Sequence, residues 1–479
     1  MRSAIVRDLN GGKSSIALLL GIALLLAACA SYLPAPLEPA RNAQSLQLRS
    51  LDDPRLRQFV AANTADAADA GHAWNLDSLT LAAFYFHPEL DVARAQWAVA
   101  EAARISAGEH PGIGLSATPG VNTTTSTPTS RFVAATVDLT LELGGKRRYR
   151  IAEAQQQAEA ARFHVETVAW QVASRVRASL VDLYAARESQ RLLDEQQGIQ
   201  QRNLTIMEGQ QQAGAISAFE LTQARLAATR SRLALHDAER RAAQARVQLA
   251  GAIGIPAAAL DDVPIAFAGF DDLPADPGID AARRHALMNR ADVLGALAQY
   301  AASQFALQLA IAGQYPDLHL GPGYEYDQGD NKWSLGLGIT LPPDGNRGAI
   351  AEASARREQA AAEFNALQAS VLQQIDLAAA GYRTALKKKA DVDAMLADLT
   401  RQQRLAQGMR EAGALSGSEL AALQLQLSES ELARLDALIQ AQQAIAGLED
   451  AVQSPLGLPA AVWEQSPRTP ESRGESTQP

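Results

Sequence analysis

The chain is poor in cysteine: Cys29 is the only one in 479 residues. A disulfide framework needs pairs and a thiolate metal site needs several ligands, so both are excluded. Aromatic residues make up 5%. The Ala-, Leu-, Gln-, Arg- and Glu-rich remainder suits long helices far better than sheet. There is no basic surplus either. Lys and Arg total 43 against 53 Asp and Glu, a formal charge of −10 with no basic stripe, which argues against nucleic acid as a partner. No Gly-rich phosphate loop, zinc motif or serine elbow appears, so neither catalysis nor a cofactor is expected. The seven histidines never pair at three- or four-residue spacing, and no metal site is expected. Beyond the N-terminus no run is apolar enough to span a membrane as a helix, so any crossing would need strands in a closed barrel.

The N-terminus reads as a secretory signal. Arg2, Arg7 and Lys13 form a positive region before the apolar run from Ile16 to Ala28, which is shorter than the roughly 20 residues of a spanning helix. It ends at Leu26-Ala27-Ala28-Cys29, which resembles a bacterial lipobox. That resemblance implies acylation of Cys29 as the mature N-terminus. Ala30, rather than aspartate, follows it, which implies sorting to the outer membrane. Each buried methylene of an acyl anchor contributes about 0.8 kcal/mol.

Self-comparison is the most informative step. Ala213-Gly214-Ala215-Ile216-Ser217 recurs as Ala412-Gly413-Ala414-Leu415-Ser416, and Ile151-Ala152-Glu153-Ala154 as Ile350-Ala351-Glu352-Ala353. Leu139-Thr140-Leu141 before Gly145 recurs as Ile339-Thr340-Leu341 before Gly345, and His110-Pro111 as Tyr315-Pro316, all at offsets of about 200 residues. The chain is two copies of one unit. Its expected divisions are a signal over 1–28, a polar lead-in over 29–75, the first repeat over 76–253, a linker over 254–280 rich in Pro, Asp and Gly, the second repeat over 281–458, and a disordered tail over 459–479. Each repeat reads as a helix (Leu76 to Ala107; Ala281 to Ala312), two strands, a very long helix (Lys146 to Gln211; Asn346 to Glu411), a Gly-containing break, and a last helix (from Ala218; from Ser418).

The strand segments alternate. Val133, Ala135, Val137, Leu139, Leu141 and Leu143 fall on one face and Ala134, Thr136, Asp138, Thr140 and Glu142 on the other. Trp333, Leu335, Leu337, Ile339 and Leu341 alternate with Ser334, Gly336, Gly338 and Thr340. Strands of about ten residues with one apolar and one small or polar face fit a transmembrane barrel, with Tyr324, Tyr326 and Trp333 placed as interfacial aromatics. A soluble sandwich would show the same alternation. The helices separate the two: about 65 residues at 1.5 Å each reach roughly 100 Å, far more than one globular core requires. After each break the small and apolar residues recur at coiled-coil spacing, from Leu221 to Leu249 and from Leu420 to Leu448. Arg434 breaks the second series and is expected to face a lumen or a neighbour. Four strands cannot close a barrel, so several chains must join, giving eight, twelve or sixteen strands.

This layout resembles the TolC-like outer-membrane factor family over about residues 75 to 455. The resemblance is carried by His87-Pro88-Glu89-Leu90, Arg290-Ala291-Asp292-Val293 and the two Ala-Gly-Ala-(Ile/Leu)-Ser breaks. Leu141-Glu142-Leu143-Gly144-Gly145-Lys146-Arg147 and the stretch from Gly345 to Ala353 are similar to the cobalt-zinc-cadmium resistance branch. The resemblance implies a mainly α fold with a small β part. Long coiled-coil helices would form a periplasmic α-barrel, and four strands per protomer would contribute to a trimeric twelve-stranded transmembrane β-barrel. It also implies a lipid-anchored homotrimer in the outer membrane, extending into the periplasm. Its partners would be a periplasmic adaptor and an inner-membrane resistance-nodulation-division pump. Glu419 and its counterpart Glu220 become candidates for an acidic periplasmic constriction; they are equally placed as N-terminal charges favouring the helix dipole. Ala422 stands where a second acidic ring would be. Gly214 and Gly413 become candidate adaptor-docking tips, with plain interhelical turns as the alternative. The exported substrate stays open among metals, drugs and organic solutes. A periplasmic coiled-coil adaptor or structural lipoprotein is the rival class.

Overall fold

The computed structural model describes residues 32–64, 73–121, 123, 131–275, 278–453 and 461–465. The signal segment and Cys29 lie outside them. The chain forms two units, Met1–Leu48 and Arg49–Pro479. The first contributes α1 (Pro39–Gln47), which buries no residue.

The second unit begins within the expected lead-in, which is not featureless. Pro54 opens α2 (Pro54–Asn63), and the Asp53 carboxylate caps it by accepting from the Arg55 N–H at 2.8 Å. Leu56 and Val60 are buried. A reciprocal Asn75–Ser78 capping box starts α3 (Leu76–Phe86), whose residues from Leu79 to Phe86 are all buried. The periodicity predicts one helix to Ala107, but the chain breaks at His87 (ψ 124°) and resumes as α4 (Pro88–Ala107). Pro88 forces the preceding residue out of the helical region. After β1 (Gly114–Val121) and β2 (Arg131–Leu141), α5 runs 67 residues from Lys146 to Gln212. It ends where Gly214, at φ 76°, adopts the left-handed conformation and the Ala215 N–H reaches the Gln210 carbonyl at 2.8 Å. Ser217 then caps α6 (Ala218–Ile253).

The linker is ordered as well. A 3₁₀ turn over Ala257–Leu260 follows α6. Ile265 bridges to Trp74, and the rings of Phe267 and Phe270 pack about 5 Å from Tyr184, at 5.3 and 5.0 Å. The second repeat starts at Ile279, two residues before the expected Ala281, as α7 (Ile279–Asn289). It too breaks, at Arg290 (ψ 134°), before α8 (Ala291–Ala312), with no proline to enforce it. Strands β3 (Leu318–Asp327) and β4 (Asp330–Ile339) lead to α9 (Arg347–Glu411), the Gly413 break and α10 (Gly417–Val452). Within the stretch expected to be a disordered tail, a single turn, α11 (Ala461–Glu464), buries Val462 and pairs Glu464 with Arg162 at 3.0 Å.

The core is repeated. Val172, Val176 and Leu180 of α5 are fully buried against α3, α4 and the end of α6. The same turns of α9 place Val371, Ile375 and Ala379 against α7 and the end of α10. Each buried Val, Leu or Ile stabilises by about 1.5–3 kcal/mol relative to exposure. α5 packs with α6, α9 with α10, and α10 with α5. Two antiparallel hairpins thus lie side by side, with α6 and α9 outermost.

Candidate functional site: an open sheet above two helical tips

The four strands form one antiparallel sheet in the order β1-β2-β3-β4. The register brings Leu115 opposite Val137, Leu139 opposite Leu320, Leu320 opposite Leu337, and Tyr324 opposite both Ala135 and Trp333. Directly opposed residues share a face, so the alternation predicted from sequence becomes one continuous apolar surface across all four strands. Among the described residues nothing covers it. Trp333 is 81% exposed, and Leu335, Leu337 and Ile339 lie between 58% and 69%. In water this surface would be a liability; in lipid it is what a spanning strand needs. The other face carries Ser116 hydrogen-bonded to Thr136 at 2.5 Å, Lys332 between Glu325 and Asp327, and Gly321, Gly323, Gly336 and Gly338. There too, His319 of β3 has its Nδ1 3.3 Å from the Asp138 carboxylate and 3.3 Å from the Thr140 hydroxyl. Among the described residues both outer strands, β1 and β4, have one neighbour only. Their free backbone groups cannot remain unpaired in hydrocarbon.

At the opposite end stand the hairpin tips. Gly214 and Gly413 share φ 76°, and nothing lies within 4 Å of where a Cβ would be. They are turns shaped by backbone conformation and not by crowding. Glu220 and Glu419 do not project freely. Each closes a capping box: the Ser217 N–H donates to Glu220 at 2.7 Å, and the Ser416 N–H to Glu419 at 2.8 Å. Hydrogen bonding from the Ser217 amide and hydroxyl to Glu220, and from the Ser416 hydroxyl and amide to Glu419, holds both carboxyls below the usual carboxylate range. Arg434, the misfit in the alanine series, needs no lumen or neighbour: it donates to Asp393 of α9 at 3.1 Å and to Asp271 of the linker at 3.3 Å.

Sequence reasoning quoted the His87-Pro88-Glu89-Leu90 and Arg290-Ala291-Asp292-Val293 stretches but missed what they build. His87 and Arg290 are buried N-caps of α4 and α8. Burial first, then the Arg175 charge, lowers the His87 pKa. Beside it Glu89 pairs with Arg175 of α5. In the second repeat Arg290 grips Asp292 in bidentate fashion at 3.0 and 2.7 Å, and its Nη1 donates to the Ala451 carbonyl at 2.5 Å. The position equivalent to Arg175 is Gln374, 3.4 Å from Arg290. One cation and one carboxylate persist at each node, although the cation has moved to another element. Arg49, from the lead-in, adds hydrogen bonds to the Phe86 and Gly254 carbonyls at 2.7 and 2.8 Å.

Among the described residues no group of three His, Cys, Asp or Glu side chains could hold a metal, and no helix is long and apolar enough to cross a membrane. The model of the family described as outer membrane efflux protein matches residues 86–255, from the end of α3 to just past α6. That match covers 170 of the 479 residues, the first repeat of the chain. Among similar proteins, the pyoverdine export outer membrane protein OpmQ of Pseudomonas aeruginosa is 28% identical over 63% of the chain. The cobalt-zinc-cadmium resistance protein CzcC of Cupriavidus metallidurans is 25% identical over 52%. The matched regions span 65% and 59% of those relatives' own lengths. The fold is that of the outer membrane protein VceC of Vibrio cholerae, with a TM-score of 0.65 at 17% identity, covering 79% of this chain and 95% of that one.

Proposed function

We propose that this protein is the outer-membrane exit duct of a tripartite efflux system and catalyses no reaction. One observation carries the reading: an apolar sheet face that none of the described residues covers, on a sheet whose two edge strands find no further partner among them. Three copies joined β4 to β1 make a twelve-stranded barrel, a size that encloses a lumen. The helices support the same closure. α6 and α9, the outermost helices, each expose apolar residues away from their partners: Phe219, Leu226, Leu233 and Val247 on α6, and Leu377, Met395 and Leu405 on α9. Leu233 lies 19 residues beyond the Gly214 tip and Met395 18 before the Gly413 tip, so the two stripes meet at matching heights between neighbouring copies.

In this duct Gly214 and Gly413 are the tips on which a periplasmic adaptor docks, linking the channel to an inner-membrane pump. Glu220 and Glu419, ionised at the periplasmic mouth, draw cations toward the constriction. Acylated Cys29 anchors each copy to the outer membrane. The cargo follows one of two readings: metal cations, as the name of the cobalt-zinc-cadmium relative suggests, or an organic solute, as that of the pyoverdine exporter suggests. The test is electrophoresis of membrane fractions with planar-bilayer recording. An SDS-resistant oligomer that dissociates on boiling and conducts ions supports the duct; a monomer that never inserts refutes it. Loss of zinc, cobalt and cadmium tolerance on deletion selects the metal reading, and altered tolerance of organic compounds alone rejects it.

A further inference from the structure

We propose that His319 and Asp138 form a weak lumenal chelation site for first-row transition-metal dications, one in each protomer. The inference rests on the duct reading, which turns the polar face of the sheet toward the pore.

The pair lies diagonally across β2 and β3, with His319 directly opposite Thr140 and Asp138 two residues along on the same face. The imidazole Nδ1 stands 3.3 Å from Asp138 Oδ1 and 3.3 Å from Thr140 Oγ1. Both separations lie at the long end for a hydrogen bond. The same span suits a shared cation. With Zn–N and Zn–O bonds of about 2.1 Å, a 3.3 Å separation subtends roughly 104° at the metal, close to tetrahedral. Water would complete the shell.

The neighbours leave room. The residue across from Asp138 on β1 is Gly114, and the residue across from His319 on β4 is Gly338. A Cβ on Gly114 would stand 3.3 Å from the Asp138 Cβ, and one on Gly338 3.5 Å from the His319 Cβ. The pair rises from the sheet with side chains absent on either flank, and Asp138 is 58% exposed. A mixed imidazole–carboxylate set favours zinc, cobalt, nickel or copper over magnesium, which prefers oxygen alone. Two protein ligands hold such an ion loosely, as conduction requires: binding firm enough to enter and weak enough to leave.

The test is single-channel recording of the full protein in planar bilayers with Zn²⁺ or Mg²⁺ added at equal concentration. Zn²⁺ should lower conductance reversibly, with recovery on chelation, while Mg²⁺ has no comparable effect. His319→Gln and, independently, Asp138→Asn should each raise the half-effective Zn²⁺ concentration by about tenfold or more. Normal conductance in wild-type protein with no Zn²⁺ response overturns the site and leaves the duct intact. An unchanged Zn²⁺ response in either conducting variant overturns the chelate equally. Absence of any conductance in wild-type protein condemns the duct reading itself.

Discussion

Arg290 and Arg175 occupy corresponding nodes of the two repeats, yet their replacement should have very different consequences. The Arg290 side chain is 5% exposed and donates to Asp292, to the Ala451 carbonyl at the end of α10 and to Gln374. Arg290→Ala strands the Asp292 carboxylate, whose side chain is only 23% exposed, and removes the donor to Ala451. Breaking a buried pair in this way costs about 3–5 kcal/mol. Arg175 and Glu89 are 44% and 52% exposed, and solvent-screened pairs of that kind are worth no more than about 1 kcal/mol. Amide hydrogen exchange read separately over residues 286–293 and 445–452 reports the local opening free energy. Arg290→Ala should speed exchange there by two orders of magnitude or more, on the order of 10²-fold for 3 kcal/mol, while Arg175→Ala changes the corresponding turns of the first repeat less than about tenfold. Equal effects in the two repeats would mean that burial of the ion pair does not decide the cost, and the account of the two nodes would fail.

Gly214→Val and Gly413→Val each place a branched side chain at φ 76°, costing about 1–2 kcal/mol from backbone strain alone since no neighbour crowds the site. Pull-down of a periplasmic adaptor should weaken in both; undiminished capture would exclude the tips from docking. Acid should loosen the tips. The Glu220 and Glu419 carboxyls have folded-state pKa values below the ordinary one, so their caps contribute fully above the unfolded value of about 4.3 and are lost as pH falls through the folded value. Exchange at the Ser217 and Ser416 amides should rise across that acidic window, and Glu220→Gln with Glu419→Gln should flatten the rise. Leu337→Arg puts a charge on the uncovered sheet face, at about 2–4 kcal/mol near a bilayer midplane. The fraction of SDS-resistant oligomer should drop, and an unaffected oligomer would show that Leu337 does not meet lipid.

The architecture was legible because it is written in local signals repeated twice. Gly214 and Gly413 end helices by the same left-handed turn, Ser217 and Ser416 start the next ones, and alternation over β2 and β4 marks a two-faced strand. Such features depend on a few consecutive residues, so no partner from elsewhere in the chain is needed to read them. The break at Arg290 was not legible. Without a proline, nothing local separates α7 from α8; the extended backbone there accompanies a guanidinium held by Asp292 and, from a distant helix, by Ala451. The roles of Arg434 and of the linker were hidden for the same reason, since Asp271, Phe267 and Phe270 meet their partners across more than eighty residues of chain.

The sequence by itself therefore determined the repeat, the helix lengths, the tips and the two chemical faces of the sheet, because periodicity, turn chemistry and capping act within a turn or two of backbone. Only the tertiary structure decided which ionic groups meet. It satisfied Arg434 within the chain through Asp393 and Asp271, and set Asp138 beside His319. Those pairings depend on register between strands and on helix packing, where a shift of one residue would send each side chain to a different neighbour.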